Sequence, residues 1–384
     1  MKLTTTQRTA IEKVIHWYYN EIEEKSFFVL AGYAGTGKTS IVRLIIDILG
    51  LAAYQVIIAA PTGKAVNVLR QRMNGLFSNT IHKTFYHVYR NSTRASFKLK
   101  NRLPSTIKLI IVDEFSMVND KMIEDIFAVA GDTPIIFMGD PGQLPPIFGG
   151  NKYIDAPDFM LTEVMRQNDS SGILQLAHMA RQGLPLKIGK YGDSKIVQMG
   201  KIDPIESYDA VLCWKNSTRI QINKKIRSKL GLSNIFPSKG EKLVCLNNSY
   251  DDELNYDGIS IFVVNGLGCI ATSDADDFDD DKGTFGLKFK PDFIKTNAYF
   301  FDTTCRQETF LRYSSSIIPK TEDTKDDMFL DVDFGYALTV HKSQGSEWPN
   351  VLIINDYQGN KNDYNKWLYT AITRGRLSIT LTNP

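Results

Sequence analysis

The glycine-rich run Gly32-Tyr33-Ala34-Gly35-Thr36-Gly37-Lys38-Thr39-Ser40 carries the residue types that hold an anionic triphosphate. Glycines let a backbone approach a ligand closely, so the N–H groups along Gly35, Thr36, Gly37 and Ser40 can wrap phosphates. Lys38 would reach the β- and γ-phosphates, and the Thr39 hydroxyl would ligate Mg²⁺. Downstream, Asp113-Glu114 places two adjacent carboxylates after a hydrophobic run: Asp113 can hold Mg²⁺ with Thr39, and Glu114 can polarise an attacking water. Gln143, in Gly139-Asp140-Pro141-Gly142-Gln143-Leu144-Pro145-Pro146, offers an amide that could sense a γ-phosphate or orient that water. Together these residues point to magnesium-dependent cleavage of ATP. Taken singly, each has a plainer explanation, a glycine turn without a ligand or an Asp-Glu pair at a strand end.

The elements that must position these groups can be read from hydrophobic period. Ser26 to Leu30 is a buried-strand run before the glycine turn, and Ile41, Val42, Ile45, Ile46 and Leu49 recur at helical spacing after it. The N-terminus of that helix would face the phosphates. Thr4-Thr5-Thr6-Gln7 is a helix-capping cluster, followed by Ile11, Val14, Ile15 and Tyr18 on one face. Gln7 is either an ordinary first-turn residue or an amide that reads adenine through a paired donor and acceptor. Further strand runs at Gln55–Ala60, Ile107–Val112 and Pro134–Met138 alternate with helices, which implies a parallel, doubly wound α/β sheet. Thr62 and Lys64 follow the first of these runs at the edge where open sheets place ligands, although a plain connection there is equally ordinary.

At 384 residues the chain exceeds one ordinary core, and 43% hydrophobic with 23% charged residues is a globular composition. A net charge of +2 announces no nucleic-acid partner, so any basic surface must be local. One candidate lies between Thr80 and Pro104, where Arg90, Arg94, Lys98, Lys100 and Arg102 interleave with Tyr89 and Phe97. Cations hold phosphates while rings stack bases, so this stretch suits a single strand; a solvated charged hairpin is the alternative. Cys213, Cys245, Cys269 and Cys305 form no C-x-x-C pair, which argues against a zinc site and for core thiols in a reducing compartment. No run is long enough to span a membrane and the N-terminus lacks a signal-peptide core, so a cytoplasmic protein is expected. A second αβ pattern starts near Ala210 and resumes near Tyr336. Short β-runs fill the interval from Gly240 to about Asp331, and its acidic segment Asp274 to Asp281 lacks the EF-hand register.

In this order the residues resemble the superfamily-1 nucleic-acid helicases, and within them the class B branch of RecD and phage Dda-type proteins. Gln7 resembles the Q motif, Gly32 to Thr39 motif I, Ala60 to Ala65 motif Ia, Asp113-Glu114 motif II and Gly139 to Pro145 motif III. Leu161 to Gln167 is similar to motif IV, Thr339 to Glu347 to motif V, and Tyr369 to Arg376 to motif VI. The resemblance implies two RecA-like P-loop domains with ATP at their interface. Residues 1–168 would form the first, with a hairpin inserted at about 85–105; 169–239 and 332–384 would form the second, and 240–331 a small β-barrel-like insertion in it. It makes Arg166 and Arg374 arginine fingers and Glu347 the ribose contact. It gives Thr62, Lys64, His82, His341, Ser343 and Gln344 to a strand of DNA gripped alternately as the cleft closes and opens. Phe97 would sit at the tip of a strand-separating hairpin, and travel would run 5′ to 3′.

The expectation is an ATP-dependent helicase acting on single-stranded DNA and on single-strand/duplex junctions in replication, recombination or repair. It would be monomeric, work beside single-strand-binding or replication proteins, and occupy a host cytoplasm if phage-encoded. A DNA-stimulated ATPase that clamps DNA or displaces bound proteins without unwinding is the alternative. A P-loop kinase for small molecules is disfavoured by Gln143, Arg374 and the duplicated sheet.

Overall fold

The structure, a computed structural model, describes residues 3–73, 76–91, 94–146, 149–164, 171–256, 259–313 and 329–383. The chain divides into two units, one of Met1–Tyr89 with Ser96–Asp169 and one of Ser170–Pro384 with Arg90–Ala95.

In the first unit, helix α1 (Thr5–Asn20) begins with a capping box: the Thr4 hydroxyl accepts the Gln7 N–H and the Gln7 amide oxygen accepts the Thr4 N–H. Strand β1 (Phe27–Gly32) feeds α2 (Lys38–Ile48), β2 (Val56–Ala60) feeds α3 (Gly63–Arg72), and β3 (Phe77–Thr80) feeds the short α4 (Ile81–Phe85). Strands β4 (Tyr86–Asn91) and β5 (Arg94–Leu99) pair as a separate hairpin. Strand β6 (Leu109–Val112), helix α5 (Asp120–Ala130) and strands β7 (Ile135–Gly139) and β8 (Phe159–Leu161) complete a parallel sheet ordered β3-β2-β6-β7-β1-β8. Its central strands read as continuous apolar runs because helices cover both faces. The pleat sends Phe28 and Leu30 to one side, against Ile41 and Ile45 of α2 and Val66 of α3. Val29, Ile110 and Val112 go to the other, against Phe115, Ile123 and Ile126.

The second unit runs through α6 (Gly172–Arg181), β9 (Gly189–Tyr191), β10 (Ser194–Gln198), β11 (Ala210–Cys213) and α7 (Asn216–Lys229). There the chain leaves for an inserted block. It comprises β12 (Lys242–Cys245), a hairpin of β13 (Ser249–Tyr256) and β14 (Ile259–Val263), β15 (Gly268–Ala271), β16 (Asp276–Asp279), β17 (Thr284–Pro291), β18 (Phe301–Arg306), α8 (Glu308–Leu311) and β19 (Val332–Phe334). It returns through β20 (Ala337–Thr339), α9 (Val340–Ser343), β21 (Trp348–Ile353), α10 (Lys361–Ile372) and β22 (Gly375–Asn383). The main sheet is ordered β20-β11-β21-β22-β10-β9 and is parallel except at β9. The insertion is antiparallel, ordered β16-β17-β15-β12-β19 with β18 added on β17. Val211 and Ile226 of the main sheet layer share a core with Phe285, Phe289 and Phe334 of the insertion.

The fold class inferred from the patterns is the one observed, an α/β chain with two parallel sheets and a β insertion in the second. The short edge strands β3, β8 and β9 were not read from sequence. They run for only three or four residues, too few to establish a period. All four cysteines are buried thiols. No helix among the described residues is long and apolar enough to cross a membrane.

Candidate functional site

The sheet order explains how residues distant in sequence meet. Strand β7 lies between β6 and β1, so the loops that follow these three strands emerge side by side at their C-terminal ends. One is the glycine turn, where Gly35 and Gly37 hold φ of 80° and 79°, a left-handed conformation that only glycine adopts without cost. Gly32 is required by proximity, since a Cβ there would stand 2.8 Å from Leu161 Cβ and 2.8 Å from Thr36 Oγ1. Lys38 Nζ donates to the Gly32 carbonyl at 2.6 Å and the Tyr33 carbonyl at 3.3 Å, which holds the ammonium within the loop. Helix α2 starts at Gly37 with no side-chain cap, leaving its N-terminal amides to an anion.

Across from the turn, Thr39 Oγ1 donates to Asp113 Oδ2 at 3.4 Å, while Asp113 Oδ1 accepts the N–H of Glu114 at 2.9 Å. A hydroxyl and a carboxylate converging beneath an uncapped helix N-terminus fit a Mg²⁺-bound polyphosphate, in which the metal neutralises phosphate charge. Glu114 sits at φ 52°, ψ 40°, a left-handed backbone that a side-chain-bearing residue holds at a cost of about 1–3 kcal/mol. In the loop after β7, Asp140 Oδ1 accepts the Gly142 N–H and the Asp140 carbonyl accepts the Gln143 N–H, which fixes the turn. Gln143 is buried and its Oε1 has no hydrogen-bond partner among the described residues. Gln7 is fully buried: beyond its capping role, its Nε2 donates to the Thr36 carbonyl of the glycine turn at 3.0 Å. Position in α1 gives the first role, and only the tertiary structure shows the second. Ser40 is exposed one residue beyond Thr39.

The remaining sequence-derived residues of this unit lie toward the β2 and β3 end of the same sheet edge. Thr62 caps α3, its Oγ1 accepting the Ala65 N–H at 3.2 Å, and its own proton remains available to another acceptor. Lys64 follows in the first turn of α3, half-buried. His82 in α4 stacks on Tyr86 with ring centroids 5.5 Å apart, and burial lowers its pKa from the ordinary histidine value. Phe97 differs from its expected position at the hairpin tip: it lies within β5, 46% exposed, with its ring 5.2 Å from His82 and 6.4 Å from Tyr86. The pairing of β4 with β5 sets that register, which the spacing of bases and aromatics does not encode.

In the second unit Arg374 is 4% exposed. Its Nε donates to the Thr370 carbonyl, Nη1 to the Ser346 carbonyl and Nη2 to Thr373 Oγ1, at 3.1, 3.3 and 3.2 Å. His341 and Ser343 lie within the short α9 that follows β20, and Gln344 is its C-cap. Ser343 is fully buried and donates to the Val340 carbonyl at 2.7 Å, so its hydroxyl braces the turn. Gln344 is also buried, His341 is half-buried with a lowered pKa caused by burial, and Glu347 is exposed. Arg166 lies outside the described residues.

Lys342 was missed by sequence reading. Burial, with Arg219 and Arg312 nearby, pushes its ammonium down to about 8, against the opposing pull of Asp333. The unfolded chain therefore holds a proton between pH 8 and 10.5 that the folded chain has shed, and stability rises with pH across that window. In Lys342→Met this gain should shrink by about 1–2 kcal/mol, allowing for partial exposure, as read by urea unfolding on either side of the window. An unchanged gain would reject the assignment. No single-sequence signal marks this lysine, because its neighbours come from α7, α8 and β19.

Residues 2–201 match the protein-family model described as AAA domain, and residues 334–382 match the UvrD-like helicase C-terminal domain. Over 447 aligned residues the chain is 31% identical to the RecBCD enzyme subunit RecD of Buchnera aphidicola subsp. Acyrthosiphon pisum, covering 92% of this chain and 69% of that protein. The chain belongs to the RecD family of superfamily-1B helicases. Another RecD relative, the ATP-dependent RecD2 DNA helicase of Deinococcus radiodurans, is 26% identical over 371 residues, which cover 91% of this chain and 46% of that protein. The chain thus spans less than half the length of that RecD2 protein. Its fold is also that of a Pif1 helicase structure concerned with DNA unwinding at forked duplexes, with TM-score 0.60 and 17% identity over 99% of this chain and 92% of that one. Both sheets are therefore RecA-like, and the antiparallel block is a half-barrel insertion in the second RecA-like domain of this RecD-family chain.

Proposed function

We propose that this chain is an ATP-dependent DNA helicase that moves 5′ to 3′ along single-stranded DNA and couples ATP hydrolysis to duplex unwinding. The observation that carries the ATPase is the Thr39–Asp113 pair beneath the uncapped start of α2, with Lys38 held in the turn. Thr39 and Asp113 would hold Mg²⁺, and the backbone from Gly32 to Ser40 would hold the phosphates. Glu114 would polarise the attacking water. The unpartnered atom of Gln143 is an acceptor, which suits a proton of that water better than a phosphate oxygen. Arg374 and Arg166 would neutralise the charge that develops on the transferred phosphoryl group, and Glu347 would contact the ribose. Gln7, through Thr36, would couple the adenine end of the nucleotide to the phosphate loop.

For the nucleic acid, Thr62, Lys64 and His82 in the first unit and His341 and Gln344 in the second are the proposed contacts, with Ser343 supporting from inside its turn. Residues 1–168, 169–239 with 332–384, and 240–331 are the corresponding domains. Support for DNA as the track comes from relatives: the Deinococcus protein is named a DNA helicase, and a Bacteroides Pif1 was solved bound to single-stranded DNA. The place of Phe97 within a strand also keeps open an ATPase that clamps DNA without opening it.

Duplexes with a 5′ or a 3′ single-stranded tail separate these readings. Unwinding with ATP is expected only from the 5′ tail. Opening from the 3′ tail alone would reverse the polarity, and oligonucleotide-stimulated hydrolysis with neither duplex opened would establish the clamp. Phe97→Ala should reduce unwinding at least about ten-fold, the worth of one stacked ring, while DNA-stimulated hydrolysis stays near wild type. Equal losses in both would reject Phe97 as a wedge.

A further inference from the structure

Three loops of the second unit meet at the C-terminal ends of adjacent parallel strands. Strand β11 lies between β20 and β21, with Cys213 beside Thr339 and Leu212 beside Ile353. Trp214 follows β11, His341 follows β20, and Tyr357 follows β21. The Trp214 ring centroid is 4.5 Å from that of Tyr357 and 5.3 Å from that of His341.

The cluster is braced from behind. Trp367 of α10, 0% exposed, lies 5.3 Å from Tyr357, and Tyr364, on the same helix, also lies 5.3 Å from Tyr357. Asp356 accepts the N–H of Trp214 at 2.6 Å and of Lys215 at 3.2 Å, fixing the loop after β11 to the loop after β21. Tyr357 Oη donates to the Asn360 carbonyl at 2.8 Å. Gly359 closes against the pair: a Cβ there would stand 2.5 Å from Tyr357 Oη and 3.0 Å from Trp214 Cζ2. Core packing accounts for Trp367. It does not account for Trp214 and Tyr357, which keep part of their surface open to solvent in a setting that needs a glycine and a bidentate carboxylate to hold them.

We propose that Trp214, walled by the Tyr357 ring tilted 51° to it, forms a stacking platform for one base of a single-stranded nucleic acid. Lys215 and the start of α7 would take the adjoining phosphate. Helix α7 has 14 residues, and its N-cap, Lys215, offers no side-chain cap, so the amides of its first turn and their partial positive charge favour an anion. Ring faces take any base, which fits a protein that must travel over arbitrary sequence. The proposal rests on the reading of the chain as a single-strand-binding protein and adds to it residues outside the recognised motifs.

The test compares binding of the full chain to an oligothymidylate and to an abasic strand of equal length, which keeps the phosphates and removes the bases. Wild type should favour the base-bearing strand, and Trp214→Ala should weaken binding to that strand about ten-fold while moving the abasic affinity by less than about two-fold. Trp214→Phe should restore most of the loss. Tyr357→Ala provides the same readout independently if circular dichroism shows Trp214→Ala to be unfolded. Variants that keep the wild-type preference, or lose both strands equally, overturn the platform and leave the single-strand reading standing. Wild type that binds neither strand overturns both.

Discussion

Replacing Arg374 with alanine is expected to lower DNA-stimulated ATP turnover by about 10³ to 10⁵, the span found when a transition-state arginine is absent. Five N–H groups radiate from a guanidinium, and three directions are already committed to Thr370, Ser346 and Thr373. That commitment fixes the plane of the group, and in the proposed finger role the remaining N–H bonds would be offered to phosphoryl oxygens. Removing the side chain also strips buried acceptors of their donor, at about 1–3 kcal/mol for each one left unsatisfied. Two measurements therefore belong together. A transition-state role predicts a collapse of kcat with nucleotide affinity largely kept, whereas a purely structural role predicts a lower melting temperature and weakened binding in step. Arg374→Lys should rescue little, because a lysine keeps the charge and loses the planar fork. Normal hydrolysis by the alanine variant at saturating DNA would end the assignment.

Glu114→Gln should lower kcat by about 10² to 10⁴ while leaving nucleotide and Mg²⁺ affinity near wild type, since the amide keeps the shape and loses the base. The backbone strengthens the case. Glu114 occupies the left-handed region, and in that conformation its own N–H donates to Asp113 Oδ1, leaving Oδ2 directed at Thr39. One strained residue thus orients the Asp113 carboxylate, the group proposed above to hold Mg²⁺. Glycine would adopt the same φ without penalty, so Glu114→Gly is expected to be at least as stable in thermal unfolding and yet inactive. A Glu114→Gln protein with full turnover would remove the residue from the mechanism.

The phosphate loop, the Asp113-Glu114 pair and the Gln143 turn could be read directly because each is a local event. A buried apolar strand ends, glycines permit a turn, and the next residues face whatever lies at the sheet edge. Motif order along the chain then carried the family and both parallel sheets. Phe97 shows the limit: its residue type and neighbourhood were legible, while its register in β5 followed from pairing with β4. Ser343 shows it again, since the family resemblance gives it to the DNA and only the structure shows its hydroxyl donating to the Val340 carbonyl.

By itself, then, the sequence determined which residues could do phosphate chemistry, in what order, and on what class of scaffold, because those properties depend on short-range pattern. Only the tertiary structure decided that Gln7 reaches Thr36, that Lys342 lies among Arg219, Arg312 and Asp333, and that Trp214, His341 and Tyr357 share one patch. The reason is topological. Neighbours in a parallel sheet are joined by long crossovers, so groups that touch at its edge are separated by tens to more than a hundred residues of chain, beyond the reach of any local period.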